Sequence, residues 1–245
     1  MNHREAHLQK AAMYDLLSMF YKYSNPGLHI HYYQKHIKYM QKALNSTGTR
    51  QQDRPAQVRV LHAVPDAPDV DVYVNGNMVL SDVAFKDISG FMPLPAGSYH
   101  IDIYPAGTSV STVISKKVTV EEGKIYTLAA AGRGSKLQLL PYVTDPFVPS
   151  GETKVRFIHL SPNAPAVDIA VTKGDVIFPK VSFKQATDYL GLTPMTVNLE
   201  VRPAGTKDTV LSVPDVTLQP NQVYTIFAVG LLGESPELEA LLVKG

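Results

Sequence analysis

Two histidines and two aspartates recur at matched positions in this 245-residue chain, His62 with Asp71 and His159 with Asp168. A histidine and a carboxylate recurring together are what a general acid/base pair would look like. Three carboxylates, Asp66, Asp69 and Asp71, fall within six residues and offer the hard oxygen ligands that calcium takes. A further cluster, His29, His31, Tyr32, Tyr33 and His36, puts His29 and His36 seven residues apart on one face of a helix. Gly132-Arg133-Gly134-Ser135 superficially suggests a loop that cradles phosphate.

Each of these also has a structural explanation. With Arg59 facing solvent, Val58, Val60 and His62 share the inner face of one strand; in the next, Val70, Val72 and Val74 point inward and Asp71 outward. The two side chains then lie on opposite sides of a sheet unless a bulge intervenes, and each histidine reads as a semi-buried group that fixes a strand end through a hydrogen bond. Pro65, Pro68, Pro162 and Pro165 supply fixed φ to a stiff loop, in which Asp66 and Asn163 are natural turn residues. The second copy has Asn163 and Ala166 where the first has Asp66 and Asp69, so no metal is expected there. The helical histidines have no neighbouring carboxylate or thiolate to complete a shell. The glycine-rich tetrapeptide lacks the helix and lysine of a phosphate loop and reads as a hairpin turn. Ser161 has Val64 as its counterpart, which argues against a serine nucleophile.

The elements that carry these residues follow from periodicity. Leu8, Ala12, Leu16 and Phe20, widened by Ala11, Leu17, Met19 and Tyr23, have the spacing of one helix face. Asn25-Pro26-Gly27 breaks this helix, and a second pattern runs through Leu28, Tyr32 or Tyr33, Ile37, Met40 and Leu44. From Val58 onward, short β-branched runs alternate with Pro, Gly, Asn and Asp, as in a protein of many short strands. A shift of 97 residues superposes Val58-Arg59 on Val155-Arg156, His62 on His159, Pro65 on Pro162, Ala67-Pro68 on Ala164-Pro165 and Asp71 on Asp168. After one inserted residue, a shift of 98 superposes Phe85-Lys86 on Phe183-Lys184, Pro105-Ala106-Gly107-Thr108 on Pro203-Ala204-Gly205-Thr206, and Tyr126-Thr127 on Tyr224-Thr225. The sequence therefore predicts a helical hairpin over 1–48, a linker over 49–57, one β module over 58–148, a linker over 149–154 and a second copy of the module over 155–245. Strands are expected at 58–63, 70–74, 99–104, 115–120 and 125–131, with short runs at 78–80 and 137–141. Six or seven strands in such a length match an immunoglobulin-like or fibronectin-like sandwich.

Composition narrows the chemistry. There is no cysteine, which excludes disulfides, thiolate zinc sites and thiol catalysis. The formal net charge of +1 hides a basic leader: residues 1–57 hold eight Lys and Arg against three Asp and Glu. Such a segment on a mildly acidic body suggests an attachment or interaction element. No stretch approaches the length of a membrane span, and no export signal is evident. The cytoplasm is then the default expectation, with a spore or cell surface reached without the general export route as the alternative.

The pattern V-x-x-x-H-x-x-P-x-A-P-x-V-D-[VI], read from Val58 and again from Val155, resembles the bacterial domain-of-unknown-function family 4397, as do the two Pro-Ala-Gly-Thr turns. The resemblance covers residues 58–245 and leaves the helices outside it. It implies tandem β-sandwich modules of a kind often found in secreted or cell-surface bacterial proteins, without an established catalytic activity. The expectation is a mainly β, non-enzymatic structural or binding protein without cofactors. Its candidate binding loops are Pro65, Asp66, Pro68 and Asp69 with Pro162, Asn163 and Pro165. The expected partners are a protein or surface polymer, with self-association through residues 1–48 and no nucleic acid. The competing readings are a metal-dependent or hydrolytic enzyme using His62 and Asp71, and a cytosolic adaptor docking through its N-terminal helices.

Overall fold

The computed structural model describes residues 3–45 and 54–245. Most of the linker expected over 49–57 lies outside them. The hairpin consists of α1 (His3–Tyr21) and α2 (Pro26–Asn45). Asn25 caps α2, its side-chain oxygen accepting from the Leu28 N–H at 3.0 Å, and Pro26 occupies the first turn, where its missing N–H costs nothing. Ala11 and Ser18 of α1 are buried, and Tyr14 and Tyr21 stack on Tyr32 and Tyr39 of α2. Of the apolar face read from the sequence Ala11 is buried, but most of it is turned the other way: Leu16, Phe20 and Tyr23 are 70%, 75% and 90% exposed.

The first module contains β1 (Ala56–Ala63), β2 (Val70–Val74), β3 (Asn77–Val83), β4 (Met92–Leu94), β5 (Gly97–Pro105), β6 (Ile114–Val120), β7 (Ile125–Ala131) and β8 (Gln138–Thr144). Its sheets have the orders β4-β1-β7-β8 and β3-β2-β5-β6, and β1 runs parallel to β7. The second repeats this with β9 (Thr153–His159), β10 (Val167–Val171), β11 (Val176–Val181), β12 (Leu190–Leu192), β13 (Met195–Pro203), β14 (Leu211–Leu218), β15 (Gln222–Val229) and β16 (Glu239–Lys244). The fold is mainly β and sandwich-like, with the two helices ahead of it. Each module holds eight strands rather than six or seven. The strands the periodicity missed, β4 and β12, are three residues long, too short to show an alternation.

Val58, Val60, Val72, Ile101, Ile103 and Leu128 fill the space between the sheets of the first module, and Val155, Phe157, Ile169, Leu199, Val201 and Ile226 do so in the second. A third core lies between the modules. Leu61, Ala63, Ala129 and Ala131 on the outer face of β1 and β7 pack with Ile158 on β9, Leu160 just after it, and Phe227 and Val229 on β15. The sheets β4-β1-β7-β8 and β12-β9-β15-β16 are thus covered on both faces. Such strands read as near-continuous apolar runs, as Leu128-Ala129-Ala130-Ala131 does. This packing corrects one expectation: Arg59 does not face solvent but is 5% exposed, because a second sheet covers the face on which it sits.

Candidate functional site

The repeated histidine is a loop staple. The Val64 N–H donates to His62 Nδ1 at 3.3 Å, which leaves the proton on Nε2, and Nε2 donates to the Pro68 carbonyl at 3.1 Å. His159 does the same with the Ser161 N–H (3.2 Å) and the Pro165 carbonyl (3.0 Å). Burial lowers the pKa of both rings, which favours this neutral form. Their own carbonyls accept from the N–H groups of Lys86 and Lys184, residues held at φ 76° and 71°. Phe85 and Phe183 meet the two rings edge-on.

The repeated aspartate alternates with the core residues Val70 and Val72 and is nonetheless buried, because a bulge and a turn close over it. Asp71 accepts from the Asp82 N–H at 3.0 Å with one oxygen and from the Gly107 N–H at 2.9 Å with the other. Asp168 accepts from the N–H groups of Lys180 (2.7 Å) and Gly205 (2.8 Å). Asp82 and Lys180 have φ of 51° and 52°, strained for a side-chain-bearing residue, and the carboxylate bonds hold them there. His62 and Asp71 therefore serve different stretches of backbone and do not bond one another.

The candidate loops lie at one end of the pair. Pro65 is buried; Asp66, Pro68, Asp69 and Pro165 are exposed; Pro162 and Asn163 are half-buried. Asp66 accepts from the Gly134 N–H at 3.0 Å, and Asn163 accepts from the Leu232 N–H at 2.8 Å while donating to the Leu232 carbonyl at 3.0 Å. The two differing residues thus hold the same turn in each copy. Arg133 spans the modules, its guanidinium donating to both oxygens of Glu234 at 3.1 and 2.6 Å, while Asn163 donates to Glu234 at 3.1 Å. The Gly-Arg-Gly-Ser tetrapeptide is therefore a turn within this end of the molecule. Among the described residues no group of three or more His, Cys, Asp or Glu side chains could hold a metal ion.

Two buried arginines, Arg59 and Arg156, join the modules and were not legible as such. Arg59 donates to Thr127 Oγ1 (3.0 Å) in its own module and to the Lys244 carbonyl (2.8 Å) in the other, with its guanidinium over the Phe91 ring. Arg156 donates to Thr225 Oγ1 (3.2 Å) and across to the Val143 carbonyl (2.8 Å), over the Tyr189 ring. A repeated arginine inside an otherwise apolar strand, with a repeated threonine and aromatic residue, was the available signal.

The helical histidines are docking residues. His29 is buried between Ser18, whose hydroxyl lies 2.9 Å from Nδ1, and the Gly191 carbonyl, 3.0 Å from Nε2. His36 Nδ1 bonds the Ala11 carbonyl at 3.0 Å, and His31 is exposed. Tyr33 lies so close to β12 that a Cβ on Gly191 would come within 2.5 Å of its ring. The counterpart of Gly191 in the first module is Pro93, whose side chain would occupy that place, so the hairpin fits only the second module. Beside this contact a cavity of about 220 Å³ is lined by Tyr33, Asp145, Lys154 and Tyr189. Lys154 is 1% exposed and bonds Asp145 at 3.1 Å, and burial lowers its pKa.

The model of the family described as "Domain of unknown function (DUF4397)" matches residues 56–170 and 171–244. The chain belongs to the DUF4397 family. The structural division between its DUF4397 modules falls earlier than the division between the two matches, since β9 and β10 are strands of the second sandwich. None of the curated proteins matches this chain. Among solved structures, it is similar to the C-terminal domain of AlgF from P. aeruginosa, with 19% identity, 40% of this chain and 100% of that one covered, and a TM-score of 0.29. It is also similar to the Bacillus anthracis TIE protein, with 12% identity, coverage of 73% and 34%, and a TM-score of 0.25. A candidate cell adhesion protein from Bacteroides fragilis has 11% identity, coverage of 78% and 97%, and a TM-score of 0.18. These likenesses carry nothing over to the function of this chain.

Proposed function

We propose that this DUF4397 protein is a non-enzymatic structural or binding protein whose two modules act as one rigid unit at a bacterial cell or spore surface. The observation that carries this reading is the expenditure of the repeated polar residues. His62, Asp71, His159 and Asp168 are each held by main-chain groups at both polar atoms, which leaves them no free atom for a substrate proton. The apolar seam and the reciprocal arginines favour rigid presentation over relative movement of the modules. The surface presented is the loop end, where Asp69, Pro68 and Pro165 are exposed and the loops beneath are fixed by staples. Its partner is a protein or a surface polymer, and the location follows from the setting that the family resemblance implies.

Two measurements test this. Asp69→Arg is expected to reduce binding to cell-wall or spore-coat preparations while leaving the melting temperature unchanged, because the Asp69 side chain holds no turn. Protease treatment of intact cells and spores should digest the protein without lysis. Equal binding by wild type and variant, together with full protection in intact cells, would overturn the reading.

A further inference from the structure

The two modules differ at one edge, between β3 and β4. There the first module opens into an apolar cleft of about 360 Å³, whose lining includes Val60, Val72, Val79, Met92, Pro93 and Leu94. In the second module the matching positions are larger at three places: Phe157 for Val60, Ile169 for Val72 and Ile177 for Val79. That site is also covered from outside, since Ile30 of α2 packs against the same core. The difference shows in burial: Leu190 and Gly191 are buried, whereas Met92 is half-buried and Pro93 exposed. Protein interiors are close-packed, and an under-filled apolar site beside an uncovered strand edge is suited to an incoming apolar side chain.

The same chain carries a face of the complementary kind. Leu16, Met19 and Phe20 form an exposed stripe on α1, at the i, i+3, i+4 spacing of one helix side, and Tyr23 is exposed in the turn that follows. An amphipathic helix normally turns such a stripe toward a core, and a contiguous exposed apolar patch marks an interaction site. The charges also agree: residues 1–57 have eight basic and three acidic side chains, and residues 58–148 have seven and nine.

We infer that the cleft of the first module receives the α1 stripe of a second copy of this chain, with Phe20 supplying the ring that Phe157 supplies within the second module. Each hairpin then lies between two modules, its own second module against α2 and a neighbour's first module against α1. Pro93, which bars the Tyr33 contact used by α2, faces the unbranched Met19 or the Phe20 edge instead. The contact joins two different surfaces, so it either closes as a reciprocal pair, each copy's stripe in the other's cleft, or propagates into a ring or a filament. It does not depend on what the loop end binds.

Sedimentation velocity of the full chain over a range of concentrations tests this. The full chain is expected to self-associate, as a reciprocal dimer or a larger assembly. Leu16→Asp/Phe20→Asp removes the donor face, and Val60→Phe fills the acceptor cleft with the residue type found at Phe157. Val79→Asp, at the exposed mouth of the cleft, serves as a second acceptor variant should Val60→Phe disturb the core. Each variant alone should be monomeric, with association weakened about 30-fold or more, as for loss of a central interface anchor. An equimolar mixture of the donor variant with either acceptor variant retains one working pair of surfaces and should yield a heterodimer that grows no further. A monomeric full chain at every concentration would overturn the inference, as would assembly by the folded acceptor variants, which would mean a contact between two α1 faces. A mixture that stays monomeric overturns it equally.

Discussion

Arg59 and Arg156 are reciprocal: each leaves its own module and donates to the backbone carbonyl at the same register of the other module's edge strand, Lys244 on β16 and Val143 on β8, both at 2.8 Å. The equivalence of the acceptors follows from the pairing of Tyr126 with Val143 and of Tyr224 with Lys244. A guanidinium suits this place because its planar fork bonds a threonine and a carbonyl while its face rests on an aromatic ring. Replacing either arginine by alanine is expected to cost about 3 kcal/mol, from the loss of charge-assisted bonds and the carbonyl left unpaired. Arg→Lys should recover less than half, since an ammonium cannot reproduce the fork. Urea unfolding with probes in each module checks this, and two separated transitions in the alanine variants should replace one.

Gly191 and Tyr33 decide where the hairpin sits. Gly191→Ala is expected to weaken docking of the hairpin by about 2 kcal/mol, as overpacking does, because the new Cβ meets a ring held on both sides. Hydrogen exchange should then rise across α1 and α2 and stay unchanged in the core of the first module. Truncating Tyr33 to leucine in the same chain should restore protection. Unaltered exchange in Gly191→Ala would show that the contact is not needed.

His62 and His159 tie stability to pH. Burial lowers their folded pKa below the ordinary 6.5, so the unfolded chain takes up protons first as pH falls. Their contribution is complete above pH 6.5 and is lost as pH drops from 6.5 toward the folded pKa. His62→Gln/His159→Gln should lower stability at neutral pH but flatten this part of the profile. Thermal melts over a pH series from neutral into the acid range make the comparison, and a double variant with the wild-type slope would refute it.

Asp71 and Asp168 each hold two backbone N–H groups. Asp71→Ala is expected to cost about 3 kcal/mol through loss of both charge-assisted bonds, with Asp71→Asn intermediate because the amide keeps one acceptor oxygen. Because the carboxylate is occupied by backbone donors, calcium or a chelator should leave the melting temperature of wild type unmoved. A rise in melting temperature with calcium that disappears in Asp71→Asn would instead establish a cation site.

Much of the molecule could be read along the chain because its causes are local. Asn25-Pro26-Gly27 ends one helix and starts another through a cap and a ring-restricted φ. The repeat fixes the equivalence of two modules without any coordinates, and the His, Pro, Ala-Pro, Asp spacing marks the loop that both copies staple.

Arg59, Asp71 and the α1 stripe mark where local reasoning stops. A period of two assigns residues to two faces of a strand but cannot tell that both faces are covered, so Arg59 was read as exposed. The bulge that closes over Asp71 arises from a register shift between β2 and β3, a property of the pair of strands. A period near 3.6 identifies the stripe of Leu16 and Phe20, yet the hairpin packs through Ala11, Ser18 and the tyrosines instead. By itself, then, the sequence determined the elements, their duplication and the residues that stiffen each loop, since these depend on backbone preferences and short-range spacing. Only the tertiary structure decided which faces meet, because burial depends on surfaces brought together from distant parts of the chain.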